Sequence, residues 1–176
     1  ATPIIQVENV TQILLDQNKI VAEKGIFFSD TVAEEKRQNC ILRNQIKSKE
    51  YGYAIKNSMD FLFTSNEVES ENGPAVLLEK SSNIEIGTRN LRNRIIVTKN
   101  NVLKVFQGCS DIKIVENYFL SKDMNKKAIH VQLSNGVDFL RNEIGVPVNS
   151  SLDFKGGGVF FESSGELNFV KNKLYW

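Results

Sequence analysis

The sequence predicts an all-β chain wound as a parallel β-helix, a solenoid of about seven coils, and three observations carry that prediction. The unit Asn-x-apolar occurs seven times, at Asn18-Lys19-Ile20, Asn44-Gln45-Ile46, Asn66-Glu67-Val68, Asn93-Arg94-Ile95, Asn117-Tyr118-Phe119, Asn142-Glu143-Ile144 and Asn172-Lys173-Leu174, with steps of 26, 22, 27, 24, 25 and 30 residues. A short apolar alternation precedes each unit: Ile13 and Leu15, Cys40 and Leu42, Phe61 and Phe63, Ile84 and Ile86, Ile112 and Ile114, Val137 and Phe139, Leu167 and Phe169. After the first six units comes a second pair, from Ile26 and Phe28 through Tyr53 and Ile55, Val76 and Leu78, Leu103 and Val105, Ile129 and Val131, to Val159 and Phe161. Period two means strand. Each period of about 25 residues thus holds three short strands, and such a coil buries its inward side chains only against the coils above and below it.

The competing classes fit less well. Apolar residues do not sustain spacings of three and four, and Asn and Gly recur too often for helix, whose one plausible turn is Val32 to Gln38. A sandwich or barrel offers strands of this size but does not demand Asn at one phase of every period. In a solenoid that Asn tolerates a left-handed backbone at the bend, and its amide bonds to the Asn of the next coil.

Composition narrows function by exclusion. Twenty-two Lys and Arg against 21 Asp and Glu give a net charge of +1, so no overall field recruits nucleic acid or an anionic membrane. No run approaches the length of a membrane span, and the opening Ala1-Thr2-Pro3-Ile4-Ile5 lacks the features of a signal peptide. One histidine and two cysteines nearly exclude metal centres rich in those ligands, and no cofactor is implied. The chain is expected to be one domain over residues 1–176, and, without an initiator Met, a piece of something longer.

The pattern apolar-x-apolar, Asn-x-Ile, Gly-apolar-x-apolar, running from Ile13 to Leu174, resembles the repeats of the right-handed parallel β-helix superfamily of pectate lyases, other polysaccharide lyases, several glycoside hydrolases and phage tailspikes. The resemblance implies a right-handed coil and a carbohydrate-handling role at an extracellular, cell or virion surface. It transfers no catalytic motif, since these repeats recur in proteins of many activities.

The register then sorts side chains. Outward on the first strand lie Leu14, Ile41, Leu62, Glu85, Lys113, Asp138 and Asn168; outward on the third lie Phe27, Ala54, Leu77, Lys104, His130 and Phe160. The greasy early rows, Leu14, Ile41 and Leu62 above all, are expected to be covered by a homo-oligomer or flanking domain, the alternative being scattered exposed apolar residues of no consequence. The unprotected strand edges at both ends raise the same expectation, with Val7 to Thr11 a loop or short strand across the first coil. Cys40 is expected inward, three rungs or about 14 Å from Cys109 and too far for a disulfide.

Candidate chemistry centres on Glu85, Lys113 and Asp138. Glu85 and Asp138 stand two rungs apart, about 9.6 Å, near the carboxylate separation of an inverting glycosidase, with Lys113 between them. In a lyase reading Lys113 or an arginine abstracts the proton beside a uronate carboxylate; the competing reading is a cross-strand charge ladder. Arg89, Arg92 and Arg94, in the lengthened bend of the fourth coil, are candidate substrate-binding residues for a carboxylate or sulfate, or else a solvated loop. His130 faces another side of the prism. Ser29 to Asn39 and Gly145 to Gly158, the latter with Asp153, Lys155 and a glycine triplet, are insertions of the kind that carry function. The triplet is no phosphate loop, and the triplets beginning at Asn9 and Asn149 fit the glycosylation pattern without weight. Three classes remain open: an enzyme acting on polysaccharide, a noncatalytic sugar-binding module, and a structural segment of a trimeric tailspike or larger surface protein.

Overall fold

A computed structural model describes residues 2–34, 37–123, 128–145 and 158–175. It is a parallel β-solenoid of three seven-stranded sheets. Each coil contributes one strand to each sheet, as in the coil made of Lys24–Ser29, Asn39–Leu42 and Gln45–Ser48. We name these sheets A, B and C; sheet A carries the strands that follow each Asn-x-apolar unit, sheet B those that precede it, and sheet C the units themselves. All pairings between named strands are parallel, always to the coil before and after. Helix is absent among the described residues; in particular residues 32–34 and 37–38 form none.

The interior is one continuous column. Ile26 and Phe28 of sheet A, Phe61 and Phe63 of sheet B and Ile46, Val68 and Ile95 of sheet C are all buried in a single cluster that runs along the solenoid. Rings from neighbouring strands meet edge to face, with Phe28 and Phe61 at 5.2 Å and Tyr53 and Phe63 at 5.3 Å between centroids. Each buried side chain of this size contributes about 1.5–3 kcal/mol relative to exposure.

Polar ladders fix the corners. At the bend between sheets B and C, Asn18, Asn44, Asn66, Asn93, Asn117, Asn142 and Asn172 stack, and each amide Nδ2 donates to the next Oδ1 at 2.9–3.2 Å. The same Oδ1 also accepts the preceding ladder residue's backbone N–H, and Nδ2 donates its other hydrogen to a backbone carbonyl. This is the expected ladder, with one correction. The left-handed residue is the one before the Asn, namely Gln17, Arg43, Ser65, Glu116, Arg141 and Lys171, all with φ of 52–58°. The Asn is needed for its amide, not its backbone freedom. In the fourth coil the bend is lengthened and Gly87, at φ 74°, makes the turn; a Cβ there would lie 2.1 Å from the Val115 carbonyl.

The opposite corner, between sheets A and B, carries a hydroxyl ladder. Thr31 N–H donates to Ser58 Oγ, Ser58 N–H to Ser81 Oγ, and Ser134 N–H to Ser164 Oγ. Cys109 occupies the same place in its coil, its Sγ 3.4 Å from the Phe106 carbonyl and its backbone carbonyl accepting from Asn135.

Two expectations are overturned. Ile41 is not outward: it is fully buried, in register with Leu15 and Phe63, whereas Cys40 aligns with Leu14 and Leu62 and is partly exposed. The run Cys40-Ile41-Leu42 has no internal alternation, so its phase is set by distance to the ladder. Ile41 lies three residues before Asn44, as Leu15, Phe63, Ile114 and Phe139 do before theirs. The buried thiol is Cys109, and burial pushes its pKa up; both cysteines are free, as expected. Of the loop and the short strand expected at the N-terminus, the structure has a strand, which begins earlier and ends at Glu8. Pro3–Glu8 is a regular strand that pairs with Lys24–Ser29 and adds a seventh strand to sheet A. Insertion residues 146–157, which include Asp153, Lys155 and most of the glycine triplet, lie outside the described residues, as does Asn149.

Candidate functional site

The outer face of sheet B in the later coils has two parallel polar rows. The first is the expected one: Glu85 pairs in register with Lys113, and Lys113 with Asp138, which is followed by Asn168. The second arises from a local irregularity. One residue near the start of each strand adopts positive φ, Asp60 at 64°, Asn83 at 50°, Asp111 at 53° and Gly136 at 61°. Asp, Asn and Gly are the residues that enter this region most readily. Asn83 Nδ2 donates to Asp60 Oδ1 at 2.6 Å, linking neighbours in this row.

Between the rows lies an open cleft of about 410 Å³ lined by Asn83, Asp111, Lys113, Gly136, Asp138, Glu166 and Asn168. A Cβ at Gly136 would stand 3.3 Å from the Asp111 backbone N and 3.4 Å from its Oδ1. The structure therefore brings Lys113 and Asp138 into one cleft and leaves Glu85 outside its lining, one rung away on the same row. Asp138 Oδ1 accepts from Asn168 Nδ2 at 2.7 Å, which fixes its carboxylate. Lys113 is exposed and forms no ion pair with either flanking carboxylate among the described residues, so the row is not a closed charge ladder.

Asp111 and Glu166 are the cleft carboxylates that sequence reasoning missed. Alternation counted from the first apolar residue of each pair stops short of Asp111, which stands just before Ile112. The signal was present: Asp60, Asn83, Asp111 and Gly136 each stand two residues before an outward residue, and all are turn formers.

The three arginines have different partners. Arg94 turns back to Glu67, Nη1 to Oε1 at 2.6 Å. Arg92 lines a separate cavity at the corner of sheets B and C with Glu116, Asn117, Arg141, Glu143, Lys171 and Lys173. Arg89 lies in the bend near Glu116, whose carboxyl is held below its ordinary range by the Asn90 N–H, by Arg141 and by Arg89.

His130 stands on sheet A between Lys104 and Phe160 and so is remote from the sheet-B rows, as expected. Its ring is 5.2 Å from that of Phe160, and Nε2 is 3.4 Å from a Glu162 carboxylate oxygen without hydrogen-bond geometry. Among the described residues no group of three or more His, Cys, Asp or Glu is arranged to hold a metal ion, and no helix is long and apolar enough to cross a membrane. No protein-family model matches the chain, and neither a curated protein nor a solved structure is significantly similar to it.

Proposed function

We propose that the chain is a carbohydrate-handling β-helix domain that binds or processes an extracellular polysaccharide along the outer face of sheet B, a role in keeping with its resemblance to the pectate-lyase-like superfamily. The observation that carries this reading is the sheet-B cleft. Carboxylates, carboxamides and one ammonium, repeated at the rung spacing of about 4.8 Å on a rigid sheet, offer a linear array of hydrogen-bond partners to sugar hydroxyls. A stiff scaffold holds such an array without an ordering cost on binding. If the domain also turns its ligand over, Asp138 and Glu85 are the proposed acid–base pair, with Lys113 between them. Asp111 and Glu166 are the further carboxylates at hand in the cleft.

The test is a binding screen of neutral and acidic polysaccharides against the wild type and the Asp111→Asn/Asp138→Asn variant. Binding to one sugar class that weakens tenfold or more in the variant supports the reading. Absence of any sugar binding, or equal binding by the variant, overturns it. Retained binding with lost turnover in Asp138→Asn would make the domain an enzyme.

A structural segment of a trimeric tailspike or larger surface protein is favoured by one observation: Leu14 and Val21 are 66% and 75% exposed on the early coils. With Ile41 in the core, the row that such an assembly would cover is Leu14, Cys40 and Leu62. A stable trimer by light scattering, with no sugar bound, is the outcome that selects this reading.

A further inference from the structure

The corner between sheets B and C presents, on each coil, the residues before and after the ladder Asn. On the last four coils these are Arg92 and Arg94, Glu116 and Tyr118, Arg141 and Glu143, and Lys171 and Lys173. Arg92, Glu116, Arg141, Glu143, Lys171 and Lys173 surround a cavity of about 310 Å³ backed by Asn117. Four cations face two carboxylates, and both carboxylates are engaged. Arg141 Nε donates to Glu116 Oε1 at 2.8 Å, the Asn90 N–H donates to Glu116 Oε2 at 2.8 Å, and Lys173 Nζ is 3.7 Å from Glu143. Arg92 and Lys171 carry the excess: neither has a carboxylate partner among the described residues. The backbone keeps the cations in line. Arg141 and Lys171 hold the same left-handed conformation, φ 54° and 56°, so their side chains leave the corner one rung, about 4.8 Å, apart.

We propose that this corner cavity binds a doubly charged, phosphate-type oxyanion, with Arg92 and Lys171 as its direct contacts and Arg141 as a flanking cation. The planar fork of Arg92 suits two oxygens of such a group, and Lys171 meets it as a point charge. The cavity holds the volume of about ten water molecules, more than one tetrahedral group fills, so the oxyanion is borne on a larger ligand. The strand Ser110–Val115 carries Lys113 and leads into Glu116, which puts the sheet-B cleft on the adjoining face. A phosphorylated sugar would therefore reach both, but anion capture at the corner does not depend on sugar binding in the cleft.

The test is calorimetric titration at low ionic strength with inorganic phosphate, a sugar phosphate and the unphosphorylated sugar. The proteins are the wild type, Arg92→Gln/Lys171→Gln and, as a control remote from both corner and cleft, Lys19→Gln, exposed on the first coil. Saturable binding of phosphate or sugar phosphate by the wild type, weakened at least tenfold in the double variant and kept within twofold in Lys19→Gln, supports the site. Tighter sugar phosphate identifies a phosphorylated glycan as the ligand, and tighter inorganic phosphate the free anion. Both replaced side chains are exposed, so the thermal midpoint of the double variant should match the wild type and exclude unfolding as the cause. The site is refuted by absence of saturable anion binding to the wild type, by unchanged binding in the double variant, or by equal loss in Lys19→Gln. Absence of anion binding together with binding of the unphosphorylated sugar leaves the cleft reading intact while the corner fails.

Discussion

Replacing Asn93 by Ala tests the physics of the whole solenoid at one position. Asn93 is 1% exposed at the centre of the ladder. Its Oδ1 accepts from Asn66 N at 2.8 Å and Asn66 Nδ2 at 3.0 Å, and its Nδ2 donates to Asn117 Oδ1 at 2.9 Å and to the Phe63 carbonyl at 3.0 Å. The losses are unequal. Phe63 keeps the Gly87 N–H at 2.7 Å, and Asn117 Oδ1 keeps the Asn93 backbone N–H at 3.1 Å. Asn66, by contrast, loses the partner of its backbone N–H, and its Nδ2 keeps only the Ile41 carbonyl. Two buried donor hydrogens are thus orphaned at about 1–3 kcal/mol each, and the expected cost is about 2–6 kcal/mol. For a chain of this size that lowers the thermal midpoint by roughly 4–24 °C. Asn18→Ala is the control: Asn18 is exposed, and its loss leaves Asn44 Oδ1 facing solvent on one side, so the cost should stay below about 1 kcal/mol. Urea denaturation followed by circular dichroism measures both. Equal midpoints for Asn93→Ala and Asn18→Ala would refute the argument that buried ladder bonds, rather than the bend itself, hold the coils in register.

Further outcomes follow from the same structure. Ile41→Ala should destabilise by about 2–5 kcal/mol and Cys40→Ala by well under that, and the reverse order in denaturation would restore Cys40 to the core. In native protein a thiol reagent should modify Cys40 quickly and Cys109 slowly, because Cys109 is buried and its raised pKa keeps it protonated; equal rates without denaturant would contradict the hydroxyl-ladder position. Glu116 and Asp16 have pKa values lowered in the folded state, Glu116 by the Asn90 N–H and Arg141 and Asp16 by Arg43, so their stabilisation is present above the ordinary carboxylate values near 4.5 and 3.8 and is lost as pH falls through the lowered ones. Glu116→Gln and Asp16→Asn should accordingly flatten the acid limb of the stability profile, and an unchanged limb would count against both pairs. Gly87→Ala should destabilise more than any other substitution here outside the core, since the new Cβ meets the Val115 carbonyl; a measured change below about 1 kcal/mol would show that the lengthened bend yields.

The repeat of seven Asn-x-apolar units and the flanking alternations determined the parallel solenoid, its three sheets, the amide ladder and the faces on which Glu85, Lys113, Asp138 and His130 stand. They could do so because period two and a fixed Asn phase are properties of the chain itself. Where that local rule loses its footing, only the tertiary structure decides. Cys40-Ile41-Leu42 reads equally well in either phase, and Ile41 goes inward because Leu15 and Phe63 on the adjoining rungs already do. Asp111 and Glu166 join Lys113 and Asp138 because successive coils bring residues 25 or more apart in sequence to one rung spacing. Arg92 leaves its sequence neighbours for Arg141 and Lys171 for the same reason: a solenoid makes neighbours of residues one coil apart, and charge assembles along its axis rather than along the chain.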